Sequence, residues 1–210
     1  MRVRELPILF NDEMVQALLT GRKTCTRRAI KLPDKMTGRP IGKSGDSSNP
    51  LGFFYPGGIK RPPYQPGDIL YVRETWSEIK NADGSHKKYV YKASDQYPFG
   101  ESRYIIKFNW KPSIHMPKEA ARIWLKVTDV RVERLQDITE AEAILEGATN
   151  NIAFIHSPDN EYDHIHTARE HFIDIWNSTI KKGDLDKYGW DANPFVWVIE
   201  FEWCEKPGKE

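Results

Sequence analysis

The residues Gly21 to Arg28 place four cations and two hydroxyl groups within a single short stretch. Lys23 and Thr26 are the residue types of an activated hydroxyl nucleophile, in which an unprotonated amine takes the hydroxyl proton. Such pairs are common by chance, and a run of cations is more often a solvated surface. Spacing alone therefore favours a solvated helix end followed by an edge strand, with catalysis by Lys23 and Thr26 as the alternative.

Glu146 is a second candidate for chemistry. It stands in the last turn of a short helix that is predicted to begin at the capping box Thr139 to Glu142 and to end at Gly147. A negative charge at that position opposes the helix dipole, which is unfavourable for a purely structural residue. A carboxyl group placed there suits general acid–base work, especially when buried. The alternative is a surface glutamate that pairs with a nearby cation.

Glu74 lies on the more apolar face of a predicted strand, Ile69 to Trp76, together with Leu70, Val72 and Trp76. An isolated buried charge is too costly to remain unpaired. Glu74 is therefore expected to be either ion-paired or functional. Trp76 is a candidate for stacking on a base, although most aromatic residues of a chain fill its core.

Histidine and cysteine side chains offer further candidates for chemistry. His115 lies between two prolines in an irregular connector, where it could serve a nuclease or simply hydrogen-bond locally. His164, His166 and His171 lack a nearby cysteine to complete a metal site, so no metal and no cofactor is expected. Cations near Cys25 would lower its pKa, but it has no histidine partner close in sequence.

The elements around the basic stretch follow from local patterns. Asn11 can cap a helix that ends at Gly21, and beyond it Thr24, Thr26 and Arg28 share one face of an extended chain. Residues 33–63 are rich in Pro, Gly, Ser and Asn without periodicity, which predicts a long loop insertion. Further strands are predicted at Arg2–Phe10, Lys88–Ala93, Arg103–Phe108, Ile123–Leu135 and Phe195–Trp203.

The predicted strands outnumber the helices, which fall between them without a regular βαβ rhythm. The pattern indicates the α+β class, as a small, mostly antiparallel barrel with helices over its ends. A second capping box, Thr167 to Glu170, opens the longest helix, and Lys88–Ala93 and Arg103–Phe108 look like a hairpin. We expect one domain, 1–210, with insertions near 33–63 and 148–166.

Charge is balanced overall, with 31 Lys and Arg against 30 Asp and Glu, but residues 22–43 are strongly basic. Local positive charge is what a nucleic-acid groove needs, and it makes Arg27, Lys31 and Lys35 candidates for phosphate contacts. Two distant cysteines exclude a disulfide framework, and no apolar run is long enough for a membrane span. These features predict a cytoplasmic protein without a membrane partner.

Three motifs carry a family resemblance: Gly-Arg-Lys-Thr-Cys-Thr-Arg-Arg, Pro-Gly-Asp-Ile-Leu-Tyr-Val and Ile-Thr-Glu-Ala-Glu-Ala-Ile-Leu-Glu-Gly. With these the chain resembles an ASCH-domain protein of the PUA-like superfamily. The segments Trp110–Pro117 and Trp190–Trp197 are similar to a longer subgroup found in phages and prophages. The matches touch most of the chain except residues 33–63 and about 150–163.

The resemblance implies a PUA-like β-barrel whose cleft is lined by the Lys-Thr stretch and the glutamate of the short helix. Some small ASCH proteins are amidohydrolases of N(4)-acetylcytidine, and their Lys, Thr and Glu map by motif onto Lys23, Thr26 and Glu146. Arg28 would then orient the substrate, and Glu74, Trp76 and His115 would line the site.

Two other functions remain open. Some ASCH proteins are thought to bind or cleave RNA, so a non-catalytic module for single-stranded RNA and a ribonuclease are both alternatives. The chain is about twice the length of the small amidohydrolases, and its insertions could reshape the cleft. The resemblance therefore leaves both a nucleoside and single-stranded RNA as substrate classes, and the choice between them must be argued from the site.

Overall fold

The computed structural model describes residues 3–33, 36–46, 51–80, 87–94, 108–154 and 163–208. Its strands are β1 (Glu5–Leu9), β2 (Cys25–Ala29), β3 (Arg39–Ile41), β4 (Gly52–Tyr55), β5 (Gly58–Lys60), β6 (Ile69–Arg73), β7 (Trp76–Lys80), β8 (Lys87–Tyr91), β9 (Trp124–Arg134), β10 (Asn151–Phe154), β11 (Asp163–His166) and β12 (Phe195–Trp203). Its α-helices are α1 (Asp12–Leu19), α2 (Glu140–Leu145), α3 (Ala168–Thr179) and α4 (Leu185–Tyr188).

The predicted α+β class is confirmed, with few helices and mostly antiparallel strand pairs. No closed barrel is detected in the residues that the structure describes, so the barrel stays a prediction. The chain divides into two compact units: Met1–Thr20, Gly67–Lys126 and Glu202–Glu210 form the first, and Gly21–Pro66 and Val127–Phe201 form the second. The expectation of a single domain over 1–210 stays a prediction.

In the first unit β1 pairs with β6 in parallel, and β6 pairs with the start of β9 in antiparallel fashion. β1 is the outer strand, where Pro7 can lack an N–H donor without breaking a ladder between two neighbours. After β1, the side chain of Asn11 accepts a hydrogen bond from the Met14 N–H at 2.9 Å and so caps α1. Gly21 then adopts φ +73°, as predicted for the residue that follows a helix C-cap.

The hairpin predicted for residues 88–93 and 103–108 stays a prediction, although its first strand is seen. β8 is present, but it pairs with β7 in antiparallel register, Trp76 opposite Tyr91. The strand Ile69–Trp76 ends early at Arg73, and a new strand starts at Trp76, because Glu74 and Thr75 leave the ladder. Residues 103–107 lie outside the described residues.

Glu74 is buried and ion-paired, which was one of the two outcomes expected for it. Its two carboxylate oxygens accept hydrogen bonds from Arg122 Nε and Nη2, each at 2.8 Å. Burial raises the pKa of Glu74, and the bonds from Arg122 offset that rise only in part. Arg122 is itself fixed by the Ser94 hydroxyl at 2.6 Å and by the Tyr91 ring, whose centroid lies 4.2 Å from Cζ.

In the second unit, β12 lies between β9 and β2. β12 and β2 are antiparallel, with Val198 opposite Arg27 and Ile199 opposite Thr26. α2 and α3 pack on one face of these strands through an apolar cluster that includes Val196, Val198 and Phe172. Both helices begin at the predicted capping boxes, so two of the signals that position this layer are readable in the sequence.

Residues 33–63 are not the long loop that the composition predicts. β3, β4 and β5 form a three-stranded antiparallel sheet in this segment. Its strands are only three or four residues long, too short for a periodic pattern to show. Phe53 is 1% exposed and anchors this sheet in the core of the second unit. The second predicted insertion, 148–166, contains the pair β10 and β11.

The Glu74–Arg122 pair yields a stability prediction for the first unit. Arg122→Met should lower the free energy of unfolding by about 3–5 kcal/mol, because it leaves a buried carboxylate without its partner. The double variant Arg122→Met with Glu74→Leu should recover most of that loss, since an apolar pair of similar volume needs no counter-charge. Urea unfolding of the two variants at pH 7 measures both values. A double variant no more stable than the single one would contradict this account of the pair.

Candidate functional site

The backbone fixes the segment that carries Lys23. The Thr24 N–H donates to the Leu145 carbonyl at the end of α2 at 2.9 Å, and the Thr24 carbonyl accepts from the Phe201 N–H of β12 at 2.9 Å. The guanidinium of Arg22 donates to the Gly147 carbonyl, also at 2.9 Å. The segment before β2 is thereby bound to the C-terminal end of α2.

This arrangement brings Lys23 and Glu146 into direct contact. Lys23 Nζ lies 2.8 Å from Glu146 Oε2 and 2.6 Å from the Glu146 carbonyl oxygen. The two side chains are 1% and 6% exposed, so the ion pair is almost completely removed from water. The ammonium also neutralises a carbonyl at the negative end of α2, where a cation is favoured.

Arg27 is the next side chain to meet Glu146. Its Nη1 lies 3.4 Å from Glu146 Oε1, and its Nη2 lies 3.0 Å from Glu133 Oε2 and 3.5 Å from Glu142 Oε1. The Arg27 side chain is completely buried. Its Nε is a buried donor without a hydrogen-bond partner in the described part of the chain. Such a donor is costly, and each one in a native structure requires an explanation.

The network continues from these carboxylates to Arg131. Arg131 binds Glu133 and Glu200, and its Nη2 lies 3.3 Å from Glu142 Oε1. Together these carboxylates raise the pKa of Arg131 against the opposing effect of burial. Because carboxylates surround the two arginines, the positive charge of this part of the chain is neutralised internally.

Alternation along β2 separates Thr26 from this cluster. Thr26 is buried opposite Ile199, and Arg28 is half-buried opposite Trp197. Both lie on the face of β2 opposite to Arg27 and Cys25. Burial lowers the pKa of Arg28, while Tyr64 and Glu146 act against that effect. Of the three predicted catalytic residues, the structure thus joins Lys23 and Glu146, and Arg27 is the third side chain at the pair.

The three candidate phosphate contacts differ in their placement. Arg27 is enclosed by carboxylates, so a phosphate cannot reach it without displacing them. Lys31 is exposed, and its Nζ lies 5.5 Å from the centroid of the Tyr188 ring. Lys35 lies outside the described residues. Among the three, only Lys31 is seen in a position to bind a phosphate.

The other predicted substrate-binding residues belong to the first unit. Trp76 is buried in an apolar cluster, with Lys111 Nζ 4.7 Å from its ring centroid and the Tyr89 ring at 5.7 Å. Glu74 is engaged by Arg122. His115 is exposed at the end of a 3₁₀ turn. Trp76 and Glu74 thus have structural partners in their own unit, and their roles in binding stay predictions.

Cys25 is buried beside the charged cluster, and the expected effect of its neighbouring cations is wrong. Burial is the largest influence and, together with Glu146, raises the pKa of Cys25 to about 12. Lys23 and Arg27 act in the predicted direction but more weakly. At neutral pH this cysteine is a thiol, which argues against its use as a nucleophile.

The described residues form neither a metal-binding cluster nor a membrane-spanning helix. Among the described residues, no group of three or more His, Cys, Asp and Glu side chains could hold a metal ion. None of the described helices is both long and apolar enough to cross a membrane.

Comparison with protein-family models, with curated proteins and with solved structures found no match.

Arg131 and Glu133 support the Lys23–Glu146 pair through Arg27, and neither was predicted from the sequence. A signal for them exists, because the two residues share one face of the strand β9 with alternating charge. The charges on that face indicate an ion-pair network only when β12 and β2 are known to lie beside β9. No local sequence pattern predicts the order in which distant strands pair.

Burial of Cys25 yields a labelling prediction. At pH 8, a thiol reagent should modify the half-buried Cys204 and leave Cys25 unmodified, because Cys25 is 4% exposed and protonated. Labelling of Cys25 should require unfolding and should follow the urea transition. Mass spectrometry of peptides after timed iodoacetamide treatment measures both sites. Rapid native-state labelling of Cys25 would contradict the described burial of the β2 face that carries Arg27.

Proposed function

We propose that this chain is an ASCH-type protein of the PUA-like superfamily that hydrolyses an acylated nucleoside of the N(4)-acetylcytidine type. The observation that carries the proposal is the contact of 2.8 Å between Lys23 Nζ and Glu146 Oε2. The motif resemblance selects these two residues among the titratable groups of the chain. The described residues bring them together across 123 positions of sequence.

The pair can supply both proton transfers of an amide hydrolysis. When one proton moves from the Lys23 ammonium to Glu146, the ion pair becomes an amine and a carboxylic acid. Because the resting pair is almost completely removed from water, the reacting water molecule enters with the substrate. The amine takes a proton from this water, whose oxygen attacks the acyl carbon. Glu146 donates its proton to the exocyclic nitrogen as the C–N bond breaks. Cytidine and acetate leave, the product acid releases its proton to solvent, and the ion pair is restored.

The nucleophile in this proposal is a water molecule. Thr26 lies on the opposite face of β2 from the contacts that Arg27 makes with Glu146, so its hydroxyl is poorly placed to give its proton to a base on that side. The position of Thr26 instead supports a role in fixing β2 against β12. This assignment separates Thr26 from the two residues that move protons.

Arg27 is the candidate for stabilising the oxyanion. It touches Glu146 through Nη1, and its buried Nε has no hydrogen-bond partner among the described residues. A preorganised donor in a dry site stabilises developing negative charge much more than one in water. A role in binding the oxyanion thus explains the unpartnered Nε of Arg27, whereas a purely structural ion pair leaves this donor unexplained.

The enzymatic proposal has a direct test. Purified protein should release cytidine and acetate from N(4)-acetylcytidine, and Glu146→Gln should lower kcat by about a hundredfold or more, the usual scale for the loss of an acid–base group. Chromatography of the nucleosides over time measures the turnover. No turnover across a panel of acylated nucleosides by folded protein would exclude the hydrolase and favour a binding function.

The matched control is Glu78→Gln. Glu78 Oε1 also pairs with a lysine, Lys111 Nζ at 2.9 Å, but in the first unit. The substitution makes the same chemical change, so its turnover should stay within about twofold of the unsubstituted protein. Thermal unfolding of both variants separates loss of fold from loss of chemistry. An equal loss of turnover in Glu78→Gln would mean that Glu146→Gln reports stability alone.

A further inference from the structure

A separate cavity of about 330 Å³ lies in the second unit at the far end of β2. Ile30 lines it and follows β2, whereas Lys23 precedes β2, so the two positions are roughly 20 Å apart along an extended chain. The cavity volume lies at the small end of the range of about 300–1,000 Å³ for ligand sites. A single planar ring system with a sugar is of the right size for it.

Three of the thirteen described lining residues of the cavity are aromatic: Phe53, Tyr188 and Phe195. Phe53 and Phe195 lie with ring centroids 5.0 Å apart and planes tilted by 58°. Tyr188 lines the cavity as well and donates its hydroxyl to the Leu32 carbonyl at 3.4 Å. Hydrogen bonding and core packing therefore hold these rings before any ligand arrives, which reduces the entropy cost of binding.

Cations border the same cavity. Arg134 and Lys187 are exposed lining residues, and the described residues of the lining include no carboxylate. The guanidinium carbon of Arg134 lies 3.8 Å from the centroid of the Phe195 ring, and its Nη1 donates to the Asn193 carbonyl at 2.9 Å. Lys31 adds a third cation, 5.5 Å from the centroid of the Tyr188 ring.

We propose that this cavity binds the base of a nucleotide, with the phosphate held by Arg134, Lys187 and Lys31. Aromatic walls accept any base by stacking, and nearby cations neutralise the phosphate that follows it. The ligand chemistry is the same for a free nucleotide and for one residue of an RNA strand. The proposal concerns a site distinct from the Lys23–Glu146 pair and does not depend on hydrolysis.

The test compares Tyr188→Leu with Tyr188→Phe. Both variants lack the hydroxyl bond to Leu32, but only the leucine variant lacks the ring, so the comparison isolates stacking. Titration calorimetry with cytidine 5′-monophosphate should show binding that Tyr188→Phe preserves and Tyr188→Leu weakens by about tenfold or more. Arg134→Gln should weaken the same binding and reduce its dependence on salt.

Two further probes identify which part of the nucleotide is recognised and where it comes from. Ribose 5-phosphate and cytidine should each bind at least about tenfold more weakly than the nucleotide, because each lacks one half of the interaction. A fluorescent hexacytidylate that binds more tightly than the mononucleotide would assign the site to a strand, and equal affinity would assign it to free nucleotides.

Three results would overturn the proposal. They are absence of binding by both the mononucleotide and the hexacytidylate, equal affinity in the leucine and phenylalanine variants, and equal affinity for ribose 5-phosphate and the nucleotide. Because the probes carry no acyl group, these results are independent of whether Lys23 and Glu146 hydrolyse an acylated nucleoside. Circular dichroism of each variant verifies that the second unit is folded.

Discussion

Burial of the Lys23 ammonium is the constraint on which the second unit depends. A charge with 1% of its side chain exposed needs a counter-charge within contact distance, and Glu146 Oε2 supplies it at 2.8 Å. That requirement fixes the end of α2 against the segment before β2, where Thr24 also bonds to Leu145. Glu146 in turn binds Arg27, which collects two further carboxylates of α2 and β9. The position of one helix end thus follows from one buried lysine.

The same ion-pair network also decides whether the basic stretch can bind phosphate. In the sequence it resembles a phosphate-binding surface, but the alternation of β2 directs Arg27 toward carboxylates and Arg28 to the other face. Positive charge that is neutralised inside the fold cannot attract a polyanion at long range. Of the cations at the cavity, Arg134 and Lys187 lie elsewhere along the chain, and Lys31 lies within the basic residues 22–43. The basic stretch and the proposed nucleotide site are therefore different features, and Lys31 is the one described cation that belongs to both.

Local signals explain which predictions succeeded. Asn11, Thr139 and Thr167 cap helices as expected, since a cap needs only its own neighbours in sequence. The ion pairing of Glu74 followed from strand alternation and the cost of a buried charge. The sheet within residues 33–63 could not be predicted, because its short strands leave no period. The strand order β9-β12-β2 could not be predicted either, because it is decided by contacts between segments that are distant in sequence. Contact of Lys23 with Glu146 was expected from the family resemblance alone.

The most direct measurement is a double-mutant cycle on the free energy of unfolding with Lys23→Met, Glu146→Gln and the double variant. If the pair organises the second unit, each single change should cost about 3–5 kcal/mol, because each leaves a buried partner uncompensated. The double variant should then cost much less than the sum, with a coupling energy of about 2 kcal/mol or more. Additive losses, with a coupling energy below about 0.5 kcal/mol, would show that Lys23 and Glu146 act independently and would contradict the account.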